Sequence, residues 1–161
     1  MSNAKKIVLL GAFNVGKSSL IRRFVQNVFT EDYLVTIGVH ILKKTIITEN
    51  TEQTLVIWDI EGKEDVQDIR HSYLQGSSGF IYVIDPTRIH TYQNLTNELK
   101  FITKNYPKTP VITVANKSDL INIEDFQKQL IDLNITIDYT TSAKIGNNVE
   151  LIFKDLAGKI F

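Results

Sequence analysis

The stretch Gly11-Ala12-Phe13-Asn14-Val15-Gly16-Lys17-Ser18 limits what this chain can fold into more than any other. An apolar run, Ile7-Val8-Leu9-Leu10, leads into it, and a helix-patterned segment, Ser19-Leu20-Ile21-Arg22-Arg23-Phe24-Val25, leaves it. Strand, glycine-bounded loop and helix start, in that order, form the phosphate-binding signature GxxxxGK[ST]. Gly11 and Gly16 relieve the backbone of side-chain sterics, so successive amide N–H groups can turn inward round a phosphate. The helix beginning near Lys17 adds the positive end of its dipole. Lys17 supplies a mobile ammonium for the outer phosphates, and the Ser18 hydroxyl suits a magnesium ion shared with them. Gly11, Phe13, Asn14, Val15, Gly16, Lys17, Ser18 and Ser19 are the predicted ligand contacts of this cradle.

The 161 residues predict a single domain, 1–161, large enough to bury a core. Its 18 basic and 18 acidic residues balance, so net charge points to neither nucleic acid nor an anionic membrane surface. The chain has no cysteine, which fits a reducing compartment and excludes prenyl or palmitoyl attachment at Cys on this chain. Ser2 occupies the place a myristoylated glycine would need. No apolar stretch reaches bilayer length, and no secretory pattern opens the chain. The expectation is a cytoplasmic monomer without a direct lipid anchor, reaching a membrane only through a missing tail or a partner.

Periodicity places strands at 5–10, 38–47, 53–58, 79–84, 111–115 and 135–139, and helices at 18–26, 92–105, 124–133 and 148–160. A short helix is expected within 59–76, and a turn over 49–52 makes a hairpin of the second and third strands. Gly79-Phe80-Ile81-Tyr82-Val83-Ile84 is continuously apolar, the mark of a strand buried on both faces. This alternation predicts an α/β three-layer sandwich: six strands, mostly parallel, one antiparallel edge strand and about five helices. Ligands of such sheets sit beyond the carboxyl ends of the strands. The remaining motifs all fall there.

Asp59-Ile60-Glu61-Gly62 closes the third strand. Its acid can hold magnesium directly or through water, and the Gly62 amide can approach a terminal phosphate. Asn116-Lys117-Ser118-Asp119 follows the fifth strand. A carboxylate has two acceptors side by side, matching the ring N–H and exocyclic amino group of guanine. Adenine has a lone pair where guanine has the ring N–H, so Asp119 would repel it. Asn116 is suited to tie this loop to the phosphate loop, and the Lys117 stem to lie along the base. Thr141-Ser142-Ala143-Lys144, after the last strand, offers backbone donors to the guanine carbonyl. His40, His71 and His90 lack metal-ligand spacing, and the pairs Lys43-Lys44 and Arg22-Arg23 read as solvated faces rather than nucleic-acid sites.

These four segments, in this order over nearly the whole chain, resemble a small GTPase of the Ras superfamily, with the P-loop NTPase fold. Thr36-Ile37-Gly38-Val39, Trp58-Asp59-Ile60-Glu61-Gly62 and Thr141-Ser142-Ala143-Lys144 are similar to the Rab forms. The resemblance implies a GDP/GTP switch with Mg2+, whose two mobile loops are ordered by the third phosphate. It assigns the metal to Ser18, Thr36 and Asp59. It places Phe29 on the guanine, Tyr33 over the phosphates, and Ser142, Ala143 and Lys144 at the base. It gives Lys17, Gly62 and the residue at Lys63 the catalytic positions. It also implies protein effectors at the apolar trio Ile41, Trp58 and Tyr73, with exchange and activating factors as further partners.

Three residues depart from the family at the hydrolytic centre. Lys63 replaces a glutamine, and an ammonium donates hydrogen bonds but cannot accept one from an attacking water. Phe13 replaces a small residue beside the terminal phosphate, and Glu61 brings negative charge where alanine is usual. The expectation is weak intrinsic hydrolysis. Three readings follow: a slow GTP hydrolase, a hydrolysis-deficient module that recruits partners, and an ATP-using kinase, which Asp119 disfavours. Lys63 has a plainer reading as an exposed residue or one paired with Glu64, and a third in which it offsets charge on the terminal phosphate. The chain stops at Phe161, where Rab proteins usually continue into a lipidated tail.

Overall fold

The computed structural model describes residues 3–31 and 35–161. Among them, six strands form one sheet in the order β2-β3-β1-β4-β5-β6. The strands are β1 (Ala4–Leu10), β2 (Val39–Thr48), β3 (Thr51–Ile60), β4 (Gly79–Ile84), β5 (Val111–Ala115) and β6 (Tyr139–Thr140). Only β2 and β3 pair antiparallel; β1 lies parallel between β3 and β4, followed by β5 and β6. Five α-helices accompany them: α1 (Lys17–Gln26), α2 (His71–Leu74), α3 (Leu95–Asn105), α4 (Ile123–Asp132) and α5 (Val149–Ile160).

Successive side chains of a strand point to opposite faces, so a strand buried on both sides feeds two cores. Ile7, Leu9, Ile81 and Val83 join Leu20 and Phe24 of α1 and Phe153 and Leu156 of α5 on one face. Val8, Leu10, Phe80 and Tyr82 join Leu95 and Ile102 of α3 and Phe126 and Leu130 of α4 on the other. The first core is closed by Phe24 stacked on Phe153, ring centroids 4.0 Å apart. The second is closed by Tyr92 meeting Phe126 edge-on at 5.8 Å.

The structure corrects four boundaries. The turn expected over 49–52 narrows to Glu49 and Asn50, both left-handed at φ 48° and 64°, so Thr48 and Thr51 already pair. The third strand runs on through Asp59 to Ile60 rather than ending at Trp58. The helix expected from residue 92 begins at Leu95, because Ile89–Thr91 forms a 3-10 turn and Tyr92 caps it. The strand expected over 135–139 shrinks to Tyr139–Thr140. Asn134 ends α4 in a left-handed conformation at φ 54°, and the Ile135 amide then bonds back to the Leu130 carbonyl at 2.9 Å. The amide of Thr113 is meanwhile taken by the Asp138 carboxylate at 2.8 Å, not by a longer strand.

Candidate functional site

The carboxyl ends of β1, β3 and β5 bring the sequence motifs round one cleft of about 380 Å³. The phosphate loop leaves β1 with Gly11 at φ 140°, where a Cβ would lie 2.2 Å from the Val83 carbonyl oxygen of β4. No other residue type fits there. The loop closes at Gly16, φ 104°, which precedes the first turn of α1. Between them Asn14 takes a left-handed conformation at φ 60°, and Val15 is fully buried. Lys17 is buried, and its Nζ donates to the carbonyls of Gly11 at 2.8 Å and Ala12 at 2.9 Å. Burial lowers its pKa to about 8, against the opposing attraction of Asp59.

Ser18, Thr36 and Asp59, three residues from three separate segments, converge. The Ser18 hydroxyl donates to Asp59 Oδ2 at 2.5 Å and shares a hydrogen bond of 2.7 Å with Thr36 Oγ1. Asp59 Oδ1 is buried and has no protein partner. Burial raises the Asp59 pKa, while the Ser18 hydrogen bond and the charges of Lys17, His40 and Arg22 oppose the rise. An orphaned carboxylate oxygen beside two hydroxyls is an all-oxygen donor set, which suits a hard divalent cation. These residues therefore fit magnesium. Among the described residues no group of three or more His, Cys, Asp or Glu offers another metal site.

Asn116 joins the two ends of the cleft. Its Nδ2 donates to the Val15 carbonyl at 3.1 Å, and its Oδ1 accepts from Thr141 Oγ1 and the Ala143 amide, each at 3.2 Å. Asp119 accepts from the Ser142 hydroxyl at 2.7 Å and lines the cleft with Phe29, Ala143 and Lys144. Ser142 itself is fully buried, so it orients Asp119 from behind. Lys117, left-handed at φ 60°, donates to the Asn14 carbonyl at 2.7 Å. One wall thus carries the Asp119 carboxylate and the other the glycine-bounded loop with Lys17 and Ser18.

Phe13, Asn14, Gly16, Lys17, Ser18, Ser19, Phe29, Thr36, Gly62, Asn116, Lys117, Asp119, Ala143 and Lys144 line the cleft. Gly11, Val15 and Ser142 shape it from behind. Tyr33 lies outside the described residues. Gly62 is pressed on the phosphate loop, where a Cβ would stand 2.7 Å from the Phe13 Cα. The Phe13 ring is 44% exposed, in keeping with a side chain projecting from the loop. Lys63 is not part of the lining; its Nζ stands 3.6 Å from Glu61, rather than pairing with Glu64. Ile41 pairs with Trp58 across β2 and β3, and Trp58 meets Tyr73 at 6.3 Å.

Several contributors escape the sequence motifs. Asp85, at the end of β4, accepts from Lys117 at 2.7 Å and from Arg88 at 3.0 Å, while Arg88 Nη2 donates to the Phe13 carbonyl at 2.8 Å. Burial pushes the Asp85 pKa upward, but Lys117 and Thr87 together hold it below the usual value. Its signal was the one already used for Asp59: an acid closing an apolar strand. Arg22 and Arg23 do not form a solvated face. Arg22 lines the cleft, and Arg23 donates to the carbonyls of Ala143 at 2.7 Å and Lys144 at 2.5 Å, fastening the base loop to α1. Lys44 is likewise engaged, over the Phe24 ring and with Glu150 at 3.6 Å. Lys144 Nζ reaches Glu31 at 2.9 Å, both residues lining the cleft.

Comparison with known proteins agrees with this geometry. Residues 6–161 match the model of the Ras family. The chain is 34% identical over 161 residues to Ras-related protein Rab-1 of Theileria annulata, covering 94% of this chain and 72% of that protein. It is 33% identical over 160 residues to Ras-related protein Rab-22A of Canis lupus familiaris, covering 96% of this chain and 82% of that protein.

Proposed function

The chain belongs to the Ras family as a Rab-like small GTPase, and on that premise we propose that residues 1–161 form one guanine-nucleotide switch that binds GDP and GTP with Mg2+ and hydrolyses GTP slowly. The observation that carries the reading is Asn116, whose amide holds the phosphate loop and whose carbonyl holds the base loop. A single purine nucleotide spanning Asp119 and the amides of residues 11–18 uses both.

In this reading Asp119 accepts the two guanine donors, Phe29 packs on the base, and the loop amides with Lys17 bind the phosphates. Ser18, Thr36 and Asp59 would hold magnesium, which neutralises charge on the outer phosphates. Hydrolysis adds water to the terminal phosphorus, breaks its bond to the bridging oxygen, and releases phosphate and GDP. Water must be oriented for that step by a group that accepts its proton-side hydrogen bond. Lys63 cannot accept, and its ammonium is engaged with Glu61. Phe13 adds bulk where an activating protein would insert an arginine.

The same Lys63–Glu61 pair favours a second reading, in which the chain retains GTP and acts by recruiting partners. Ile41, Trp58 and Tyr73 are the proposed effector surface in either case, and a cytoplasmic location is part of the proposal. Among the described residues no helix is long and apolar enough to cross a membrane.

Mass analysis of nucleotide released from the purified protein tests the ligand: guanine nucleotide supports the reading, and adenine nucleotide or none that rebinds overturns it. Single-turnover GTP hydrolysis then compares the natural chain with Lys63→Gln. A rate at least about tenfold higher in the variant is expected. Equal rates would remove Lys63 from the mechanism, and no turnover in either would favour the recruiting module.

A further inference from the structure

Arg22 stands one helical turn beyond Ser18 on α1, so the two side chains share a face of that helix. It lines the cleft together with Ser18 and Thr36. Its Nε is buried and lacks a hydrogen-bond partner. Its charge also acts on Asp59, favouring the carboxylate form there. A guanidinium stays ionised in any protein environment, and leaving it partly unbonded in a buried place is costly. That cost is understandable if the group faces negative charge on a ligand.

We infer that Arg22 is a built-in counter-cation at the magnesium corner, which lessens the dependence of nucleotide retention on the metal. The inference rests on the reading of the cleft as a guanine-nucleotide site. Magnesium at this corner would balance the charge of Asp59 and the outer phosphates. A fixed guanidinium on the same helix face supplies part of that balance without metal. It also repels a divalent cation, because like charges in a partly dry cleft interact more strongly than in water. Arg22 therefore does two things at once: it holds nucleotide when magnesium is removed, and it weakens magnesium binding when nucleotide is present.

Reciprocity links these effects. The factor by which magnesium tightens nucleotide must equal the factor by which nucleotide tightens magnesium. Removing the charge of Arg22 should raise this shared factor, whereas losing a side chain that only packs would leave it unchanged.

The test measures release of a fluorescent GDP analogue from the natural chain, Arg22→Gln and Arg22→Lys, in excess magnesium and in EDTA, beside a magnesium titration of each complex. In the natural chain EDTA should speed release by less than about tenfold. In Arg22→Gln that ratio should grow at least about fivefold, with half-saturating magnesium falling by a similar factor, while Arg22→Lys stays near the natural chain. Unchanged ratios and titrations in Arg22→Gln, or Arg22→Lys behaving like Arg22→Gln, would overturn the inference. If Arg22→Gln does not fold, an EDTA effect above about a hundredfold in the natural chain overturns it alone. Failure of the natural chain to hold guanine nucleotide in either condition would instead overturn the underlying functional reading.

Discussion

A Cβ placed on Gly16 would lie 2.2 Å from the side-chain nitrogen of Asn116. The phosphate loop and the end of β5 therefore meet with no room between them, although 101 residues separate Asn116 from its partner Val15. The amide cannot swing aside freely, because its other end is held by Thr141 and Ala143.

Gly16→Ala combines that collision with a backbone at φ 104°, which side chains rarely adopt. GDP affinity measured by titration should fall at least about a hundredfold. Asn116→Ala relieves the crowding but leaves three buried groups without partners, and should lower the unfolding free energy by about 2–3 kcal/mol in denaturant titrations. Gly16→Ala binding GDP as the natural chain does would show that the junction is looser than described.

In the proposed reading Asp119 is the residue that distinguishes purines in this cleft. Asp119→Ala should reduce the preference for GDP over ADP by at least about a hundredfold, chiefly through loss of GDP affinity. Competition titrations with both nucleotides report the ratio directly. A preserved ratio would move base discrimination to the backbone of residues 142–144.

Lys17 makes nucleotide-free stability depend on pH in a defined direction. Its pKa is lowered by burial from 10.5 to about 8, so between these values the unfolded chain binds more protons than the folded one. Stability from this group must therefore rise with pH across that window. Relative to Lys17→Met, the natural chain should gain between pH 8 and pH 10.5, approaching about 3 kcal/mol on complete deprotonation. Denaturant midpoints of both proteins at the two ends of the window check this, and parallel profiles would contradict it.

The Glu31–Lys144 pair joins the loop after α1 to the base loop at 2.9 Å. Both residues are exposed, so its effect is small and screened by salt. Glu31→Gln should speed GDP release by about twofold at low ionic strength, and the difference should vanish at about 0.5 M salt. A salt-independent difference would point to packing by Glu31 instead of charge.

The motifs were legible because the chemistry they encode is local. Gly11, Gly16, Lys17 and Ser18 sit close in sequence, and their conformations are set by φ preferences and by the start of α1. Element boundaries were less legible where a few residues compete for one hydrogen bond. Asp138 captures the Thr113 amide and so shortens β6, a choice that no periodicity reports.

By itself the sequence determined the order of strands and helices, the two-sided burial of β4, and the residue types gathered round the cleft at the strand ends. Backbone sterics, hydrophobic period and donor–acceptor chemistry all act within a few residues, so they can be read along the chain. Only the tertiary structure decided that Lys63 pairs with Glu61, that Arg22 faces the cleft while Arg23 fastens residues 143 and 144, and that Asp85 gathers Lys117 and Arg88. Long flexible cations can reach several acceptors, and which one they take depends on how the sheet and helices pack to bring distant groups within about 3 Å.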